Sequence, residues 1–219
     1  MHWQDESDGF SAFVINGLNL EATALRFARL ADRAHLLFDE ERAELSRMAP
    51  KRQVSFSSGR WCAHQAQRQL GLTPQPIGRV GRVPVWPQKL CGSITHSKEI
   101  AVAAVSLERH IGVDLEQLGR LHAGLHNTLF TAREKATLSQ YGQHADAIMF
   151  SAKESGYKAI YPLGRQFIGF HEAEINLNQT QQTFSIDYIG AHGPNKALNK
   201  GRGYWQIADA HILTLFVID

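Results

Sequence analysis

The sequence predicts an α+β fold, and three observations carry that prediction. Apolar residues recur at helical spacing in both halves of the chain. Short β-type runs bounded by turn residues also occur in both halves. A strictly alternating run, 111–116, lies near the middle. We therefore expect an N-terminal α+β half, 1–107, and a C-terminal α+β half, 108–219.

The first half opens with helical patterns. From Leu20 to Met48, leucines recur among charges at roughly helical spacing, which predicts two amphipathic helices. Ser57 or Ser58 is suited to cap a further helix that ends at Gly71. The section that follows is predicted as a Gly- and Pro-rich loop and two short strands, at 78–87, 92–95 and 100–106.

The second half begins with the alternating strand after a turn at 107–110. Thr131 precedes a short helix, and a longer helix runs from Ala145 to Tyr161 and is expected to end before Pro162. The last section is predicted to return to strands at 184–189, 205–208 and 211–218.

Composition and charge exclude disordered, collagen-like and coiled-coil proteins. The chain has 219 residues, 43% of them hydrophobic and 20% charged, with 23 Lys plus Arg against 21 Asp plus Glu and a net charge of +2. This balance is typical of a globular protein and lacks the basic footprint of a nucleic-acid binder, although it leaves room for a small anionic ligand.

The sequence also predicts neither a membrane anchor nor a signal peptide. The longest apolar run, 100–105, is far shorter than the roughly 20 residues that span a bilayer. Residues 1–10 carry acidic side chains where a signal peptide needs basic and then apolar ones. Cys62 and Cys91 form neither a metal-binding spacing nor a disulfide framework, so we read them as small buried hydrophobes and expect a cytoplasmic protein.

Asp114 and Glu116 are two residues apart on the predicted strand. Their side chains therefore share a face, about 7 Å apart, where they can flank one hard divalent cation. The alternative is a solvated strand face, and this pair alone does not decide between the two.

Glu154 and Lys158 are four residues apart and face the same way on the long helix. They form either a surface ion pair or part of a site for Mg²⁺ and a pyrophosphate, in which metal and lysine neutralise the transferring group. Helical spacing does not choose between these interpretations.

The order of the motifs along the chain favours the site for Mg²⁺ and a pyrophosphate. Together they resemble the 4′-phosphopantetheinyl transferases, in particular the larger monomeric branch that activates nonribosomal peptide and polyketide synthases, siderophore-pathway enzymes included. The likeness spans roughly positions 45–165 and rests on Lys51-Arg52, Gly59-Arg60-Trp61-Cys62-Ala63, Gly81-Arg82-Val83-Pro84-Val85-Trp86-Pro87, Gly92-Ser93-Ile94-Thr95-His96-Ser97, 111–116 and 150–158. It implies a pseudo-twofold fold of two similar α+β halves, with coenzyme A in the cleft between them.

The resemblance also implies roles for the charged residues of the second half. Asp114 and Glu116 match the metal-binding acidic pair, and Glu154 matches the glutamate that completes the metal site and is a candidate general base. Lys158, and with it Lys153, would meet the pyrophosphate. The cofactor would be Mg²⁺ or Mn²⁺, with coenzyme A as co-substrate.

The nucleotide end of coenzyme A is assigned to the first half. Thr95 and His96 match contacts to the 3′-phosphate, although a lone histidine after a strand is otherwise a structural hydrogen bonder. Guanidinium groups suit the phosphates through charge-assisted hydrogen bonds. Further phosphate or adenine contacts are expected from Arg52, Arg60 and one of the loop arginines, Arg79 or Arg82.

The implied reaction is metal-dependent transfer of 4′-phosphopantetheine from coenzyme A to a serine of an apo acyl or peptidyl carrier protein, with release of adenosine 3′,5′-bisphosphate. We expect a monomer whose segment Leu121–Phe130 is either a carrier-docking surface or an ordinary cover for the core. The sequence departs from the family pattern at Lys89, Ser55 and His64, none of which belongs to the metal set.

Two rival functions use the same residues. A non-catalytic module could hold coenzyme A or a carrier protein, although ligand holding alone needs no set of three carboxylates. A Mg²⁺-dependent nucleotide pyrophosphate hydrolase would use the same charges with water as the nucleophile. The motifs do not distinguish siderophore, polyketide, polyunsaturated-lipid and fatty-acid carriers.

Overall fold

A computed structural model describes residues 22–208 and 210–219. The acidic segment 1–10 and the first residues of the helical pattern at Leu20 lie outside these ranges. The described chain forms two compact units, 22–109 and 110–219, which we call unit 1 and unit 2 and describe separately. Both contain helices and antiparallel sheet, which confirms the α+β class.

Unit 1 is built on a three-stranded antiparallel sheet in the order β1-β5-β4. Its elements are β1 (Thr23–Arg29), α1 (Asp39–Leu45), α2 (Pro50–Gln69), β2 (Gly78–Val80), β3 (Val83–Val85), β4 (Cys91–His96) and β5 (Ile100–Ser106). The central strand β5 is buried along its whole length, and α2 packs on the sheet through small side chains such as Cys62 and Ala63. Cys62 is fully buried as predicted, whereas Cys91 is half-buried.

The first of the two predicted helices between Leu20 and Met48 is wrong. Residues Thr23–Arg29 form β1, which pairs with β5 from end to end, so a distant partner outweighs the local helical spacing. The second predicted helix exists as α1.

The boundaries of α2 differ at one end. The helix begins at Pro50, where a proline is favoured because the first helical N–H has no partner within the helix. Ser57 and Ser58 therefore lie inside the helix, where their hydroxyl oxygens accept from the backbone N–H groups of Arg33 and Ala31. Gly71, with φ of 76°, follows the helix end as predicted.

The segment 78–87 is not only a loop. Strands β2 and β3 pair in a short hairpin, with Gly81 at φ of 60° in the tight turn between them. Glycine reaches this left-handed conformation without steric cost. The predicted strands at 92–95 and 100–106 are confirmed as β4 and β5.

Unit 2 carries a five-stranded antiparallel sheet in the order β6-β10-β9-β8-β7. Its elements are β6 (His110–Gln117), α3 (His126–Leu129), α4 (Ala132–Thr137), α5 (Ala145–Gly164), β7 (Ala173–Asn178), β8 (Thr183–Tyr188), β9 (Arg202–Ala208) and β10 (His211–Ile218). The long helix α5 packs across β6 and β10. Its predicted apolar stripe, Ile148, Ala152, Gly156 and Ala159, is buried.

Two expectations for unit 2 are settled by its helices. Thr131 precedes α4 as the sequence predicts, and it caps that helix in a capping box with Glu134. The predicted end of α5 before Pro162 is wrong, because the helix continues to Gly164 with the proline inside it. A proline in the last turn removes one helical hydrogen bond, and Arg165 closes the turn by donating its backbone N–H to Tyr161 O.

None of the helices in the described part of the chain is long and apolar enough to cross a membrane.

Candidate active site

The carboxylate of Asp114 is held between β6 and α5. The side chain is buried, and its Oδ1 lies 2.6 Å from Nζ of Lys158, which also donates to Val113 O at 3.2 Å. Its other oxygen, Oδ2, accepts from the Ser151 hydroxyl at 2.9 Å. The strand predicted from alternation and the helix predicted from 3.6-residue periodicity thus bring Asp114 and Lys158 together.

Glu116 and Glu154 belong to the same electrostatic group. Burial, followed by the Asp114 carboxylate, raises the pKa of Glu116 to about 7, while Lys158 and Arg120 oppose the rise and Glu154 adds to it. Burial is also the main cause that raises the pKa of Glu154; Lys158 opposes it and Asp114 adds to it. Three carboxylates therefore repel one another beside the middle of α5.

This set of donors fits a hard divalent cation in its chemistry. Carboxylate oxygens are the ligands that Mg²⁺ and Mn²⁺ take, and an added positive charge relieves the carboxylate repulsion that, after burial, raises the pKa of Glu116. Within residues 22–208 and 210–219, no three His, Cys, Asp or Glu side chains are already grouped closely enough to hold a metal ion. The glutamates would thus have to turn towards a shared ion.

Lys153 is a correction to the expected site. Its Nζ is buried and donates to Glu134 Oε2 at 2.7 Å, Leu129 O at 3.0 Å and Phe170 O at 2.6 Å. An ammonium group has three protons, so these acceptors use all of them. The structure gives Lys153 a structural role and not the expected contact with the pyrophosphate.

A largely apolar cavity of about 200 Å³ lies beside Glu154. Its wall includes Tyr157, Phe167 and Phe170, together with the stem of Lys153. Burial raises the pKa of the Tyr157 hydroxyl, with the neighbouring Tyr161 and Glu154 as smaller causes. No pattern in the sequence predicted this cavity.

In unit 1, four of the expected nucleotide contacts lie near one another. Nη1 of Arg52 is 2.9 Å from Nε2 of His96, whose Nδ1 lies 3.0 Å from Ser97 O. With Nδ1 donating to that carbonyl, Nε2 is the acceptor for Arg52. Burial lowers the pKa of Arg52, and the positive charges of Arg79 and Arg82 lower it further. Such a cluster of cations fits a phosphate group.

The remaining expected contacts differ in their access to a ligand. Thr95 is buried next to His96 in β4, and Arg79 forms an ion pair with Glu44 at 2.6 Å, while Arg82 is exposed. Of the two loop arginines, Arg82 is thus the one with an exposed side chain.

Arg60 is a second correction, because it lies in the interior of unit 1. Its Nη2 donates to Gly78 O at 3.0 Å, and its Nε lies 3.7 Å from Glu41 Oε1. Burial lowers the pKa of Arg60 to about 10 against the opposing effect of Glu41. His64, noted as a departure from the family pattern, also meets Glu41, at 3.1 Å. Arg60 therefore ties α2 to the β2–β3 hairpin and does not offer its guanidinium to a ligand.

The segment Leu121–Phe130 divides between the two roles left open for it. Leu129 and Phe130 are buried in the core, whereas Leu125 is 45% exposed. His126 contacts Asp146 at 3.0 Å. The segment is thus anchored at one end and presents Leu125 at its surface.

Sequence reasoning missed Ser151 and Thr214. Both are fully buried, and their hydroxyl oxygens lie 2.9 Å apart next to Asp114. Helical spacing offered one usable signal, because Ser151 lies three and seven residues before Glu154 and Lys158 on the same helix.

Comparison with known proteins gives consistent matches across both units. Residues 40–106 match the model of the 4′-phosphopantetheinyl transferase N-terminal domain, and residues 110–211 match that of the 4′-phosphopantetheinyl transferase superfamily.

Individual relatives cover most of the chain. The 4′-phosphopantetheinyl transferase Svp of Streptomyces mobaraensis is 34% identical over 200 residues, which is 85% of this chain and 80% of that protein. The 4′-phosphopantetheinyl transferase PptT of Mycobacterium tuberculosis is 32% identical over 195 residues, 82% of this chain and 85% of that protein. Enterobactin synthase component D of Escherichia coli strain K12 is 29% identical over 192 residues, 82% and 84% respectively.

Proposed function

Because the chain belongs to the 4′-phosphopantetheinyl transferase superfamily and is an enzyme of that class, we propose a specific reaction for it. The enzyme transfers the 4′-phosphopantetheine group of coenzyme A to a serine hydroxyl of an apo acyl or peptidyl carrier protein. The second product is adenosine 3′,5′-bisphosphate. We also propose that the family's two similar halves correspond to 1–107 and 108–219, and that the enzyme is a monomer.

The observation that carries the proposal is the meeting of Asp114, Lys158 and the two pKa-raised glutamates on β6 and α5. Asp114, Glu116 and Glu154 would hold Mg²⁺ or Mn²⁺, which when bound supplies positive charge that offsets the charge of the pyrophosphate. A non-catalytic holder of coenzyme A has no need of three mutually repelling carboxylates.

The side chains divide the remaining work. Glu154 accepts the proton of the attacking serine, directly or through a water, because its carboxylate lies close to Asp114 and Lys158. Lys158 offsets negative charge on the departing phosphate. In unit 1, Arg52, His96 and Arg82 bind the 3′-phosphate, with Thr95 next to them.

The test is intact-mass spectrometry of an apo carrier protein incubated with the enzyme, coenzyme A and Mg²⁺, beside a carrier whose acceptor serine is alanine. We expect one phosphopantetheinyl group on the serine carrier and none on the alanine carrier. Free phosphopantetheine in place of modified carrier would indicate a hydrolase. No product with any carrier, while coenzyme A still binds, would indicate a binding module.

Variants of Asp114 test whether the transfer reaction depends on the proposed metal site. Asp114→Ala should abolish transfer while the protein stays folded, and Asp114→Asn removes the charge with little change in shape. Normal turnover by either folded variant in Mg²⁺ would show that the metal assignment is wrong.

A further inference from the structure

Two buried hydroxyl groups connect the Asp114 carboxylate to the body of unit 2. The Ser151 hydroxyl on α5 donates to Asp114 Oδ2 at 2.9 Å. Oγ1 of Thr214, on β10, lies 2.9 Å from Ser151 Oγ and 2.8 Å from Ser151 O. Thr214 also stands directly opposite Asp114 in the pairing of β10 with β6. The three residues therefore join two strands and a helix.

The hydrogen bonds that link these three residues run in one direction. An ionised carboxylate only accepts hydrogen bonds, and a hydroxyl donates one. The single proton of Ser151 therefore goes to Asp114, and the proton of Thr214 goes to Ser151, at its hydroxyl or its carbonyl oxygen. Both hydroxyls are fully buried, so no solvent competes for these bonds.

The two oxygens of Asp114 are thus fixed separately. Lys158 holds Oδ1 and Ser151 holds Oδ2, and both donors come from α5. A carboxylate has about four lone-pair sites, so two such donors do not exhaust what a carboxylate can bind. Outer hydrogen bonds of this kind fix the orientation of carboxylates that ligate metals, and their loss typically lowers metal affinity 10- to 100-fold.

We propose that Ser151 and Thr214 are positioning residues that hold the Asp114 carboxylate in its metal-binding orientation. This inference rests on the proposed function, because it takes Asp114 as a metal ligand. A role in packing alone would give a different result: replacement would lower stability and leave the metal affinity of the folded protein unchanged.

The test is direct binding of Mn²⁺, measured from the loss of the electron paramagnetic resonance signal of free Mn²⁺. The titration is run on the full chain with and without saturating coenzyme A, against a blank of coenzyme A alone. We expect Ser151→Ala to bind Mn²⁺ at least about 10-fold more weakly than the unmodified chain. Thermal unfolding of each variant confirms that the protein titrated is folded.

Ser155→Ala is the matched control for Ser151→Ala. Ser155 is also a fully buried serine of α5, but its hydroxyl donates to Ala152 O within the helix at 3.0 Å. The two variants remove the same atom from the same helix. Only the Ser151 variant should lose Mn²⁺ affinity.

Thr214 supplies an independent pair of variants. Thr214→Val keeps the shape of the side chain and removes its hydroxyl, so Mn²⁺ binding should weaken. Thr214→Ser keeps the hydroxyl and should bind Mn²⁺ as the unmodified chain does. This pair decides the question if Ser151→Ala does not fold.

The outcomes separate the two proposals. If Asp114→Asn loses Mn²⁺ binding while each of Ser151→Ala and Thr214→Val that folds binds normally, the positioning role is overturned and the metal site stands. If Asp114→Asn binds Mn²⁺ as well as the unmodified chain, both the metal assignment and this inference fall. Weaker binding by Ser151→Ala or Thr214→Val, with normal binding by Ser155→Ala and Thr214→Ser, supports the inference.

Discussion

A Cβ atom on Gly112 of strand β6 would lie 1.8 Å from the carbonyl oxygen of Ser155 on helix α5. It would also lie 2.6 Å from the backbone N of Ala159. These neighbours are helix backbone, which cannot turn aside as a side chain could. The missing side chain of Gly112 thus sets how closely α5 approaches the strand that carries Asp114.

Gly112→Ala should therefore damage both stability and catalysis. The added methyl group pushes α5 from β6 at an overpacking cost of about 1–3 kcal/mol, and it moves Lys158 relative to Asp114. Thermal unfolding and carrier modification measure the two effects. Gly124→Ala is the control for thermal unfolding, because a Cβ there meets nothing within 4 Å. Equal behaviour of the two variants would contradict the prediction.

Glu116 should make stability fall with rising pH between about 4.5 and 7 when no divalent metal is present. Its pKa is raised in the folded protein, so in this window the folded chain binds more protons than the unfolded chain. The stabilisation is therefore complete at low pH and is lost as pH rises through the window.

The comparison is calorimetry at pH 5 and pH 8 in a chelator. Glu116→Gln cannot ionise, so its melting temperature should fall by a few degrees less than that of the unmodified chain. Glu40→Gln, which alters an exposed carboxylate of α1, should behave like the unmodified chain. Parallel profiles for the unmodified chain and Glu116→Gln would show the prediction to be wrong.

Arg52→Ala should remove selectivity for the 3′-phosphate of coenzyme A. A charge-assisted hydrogen bond is worth about 1.5–3 kcal/mol, so KM for coenzyme A should rise roughly 10-fold or more. KM for dephospho-coenzyme A, which lacks that phosphate, should change little. Arg68→Ala, at the exposed far end of the same helix, serves as control. An equal rise in KM for both substrates would show that Arg52 does not bind the 3′-phosphate.

Lys153→Met should destabilise the protein by about 3–5 kcal/mol, because it leaves the buried carboxylate of Glu134 without its cation. The double variant Lys153→Met, Glu134→Gln should recover part of that loss, since no buried charge remains. Arg133→Met, which removes an exposed cation from its ion pair with Glu174, should cost much less than Lys153→Met. Urea unfolding measures all three. A large rise in KM for coenzyme A with normal stability would show that Lys153 contacts coenzyme A.

Leu125→Glu should weaken binding of the carrier protein and leave binding of coenzyme A unchanged. If the exposed face at Leu125 meets a carrier, a buried charge there should raise KM for the carrier roughly 10-fold. Leu163→Glu is matched, because Leu163 is 43% exposed in the same unit. Unchanged carrier KM in Leu125→Glu would remove this segment from the docking surface.

The sequence predicted the two elements that carry the centre of the site because each has a strict periodicity. Alternation predicted β6 and the 3.6-residue repeat predicted α5, whereas the likeness to the family assigned Asp114 and Lys158 to one site. Strand β1 was mistaken for a helix because its stability comes from β5, more than 70 residues later. Local spacing carries no information about such a distant partner.

The sequence also did not predict which charged side chains are buried. The sequence shows that Arg60 and Lys153 are cations next to family motifs, but not that each is enclosed with a carboxylate. Their partners, Glu41 and Glu134, each lie 19 residues earlier in the chain. Whether such a cation faces a ligand or the interior depends on packing that motif order does not record.

Among the described residues, strand β6 lies at the edge of its sheet and pairs with β10 alone. Asp114 and its opposite residue, Thr214, are about 100 residues apart in sequence. Closing so long a loop costs entropy before any contact repays it, and non-local pairing of this kind slows folding. Helix α5 can form from local contacts, but the carboxylates of β6 gain their fixed frame only after β10 has been synthesised and has docked. Catalytic competence should accordingly be among the last properties that the folding chain acquires.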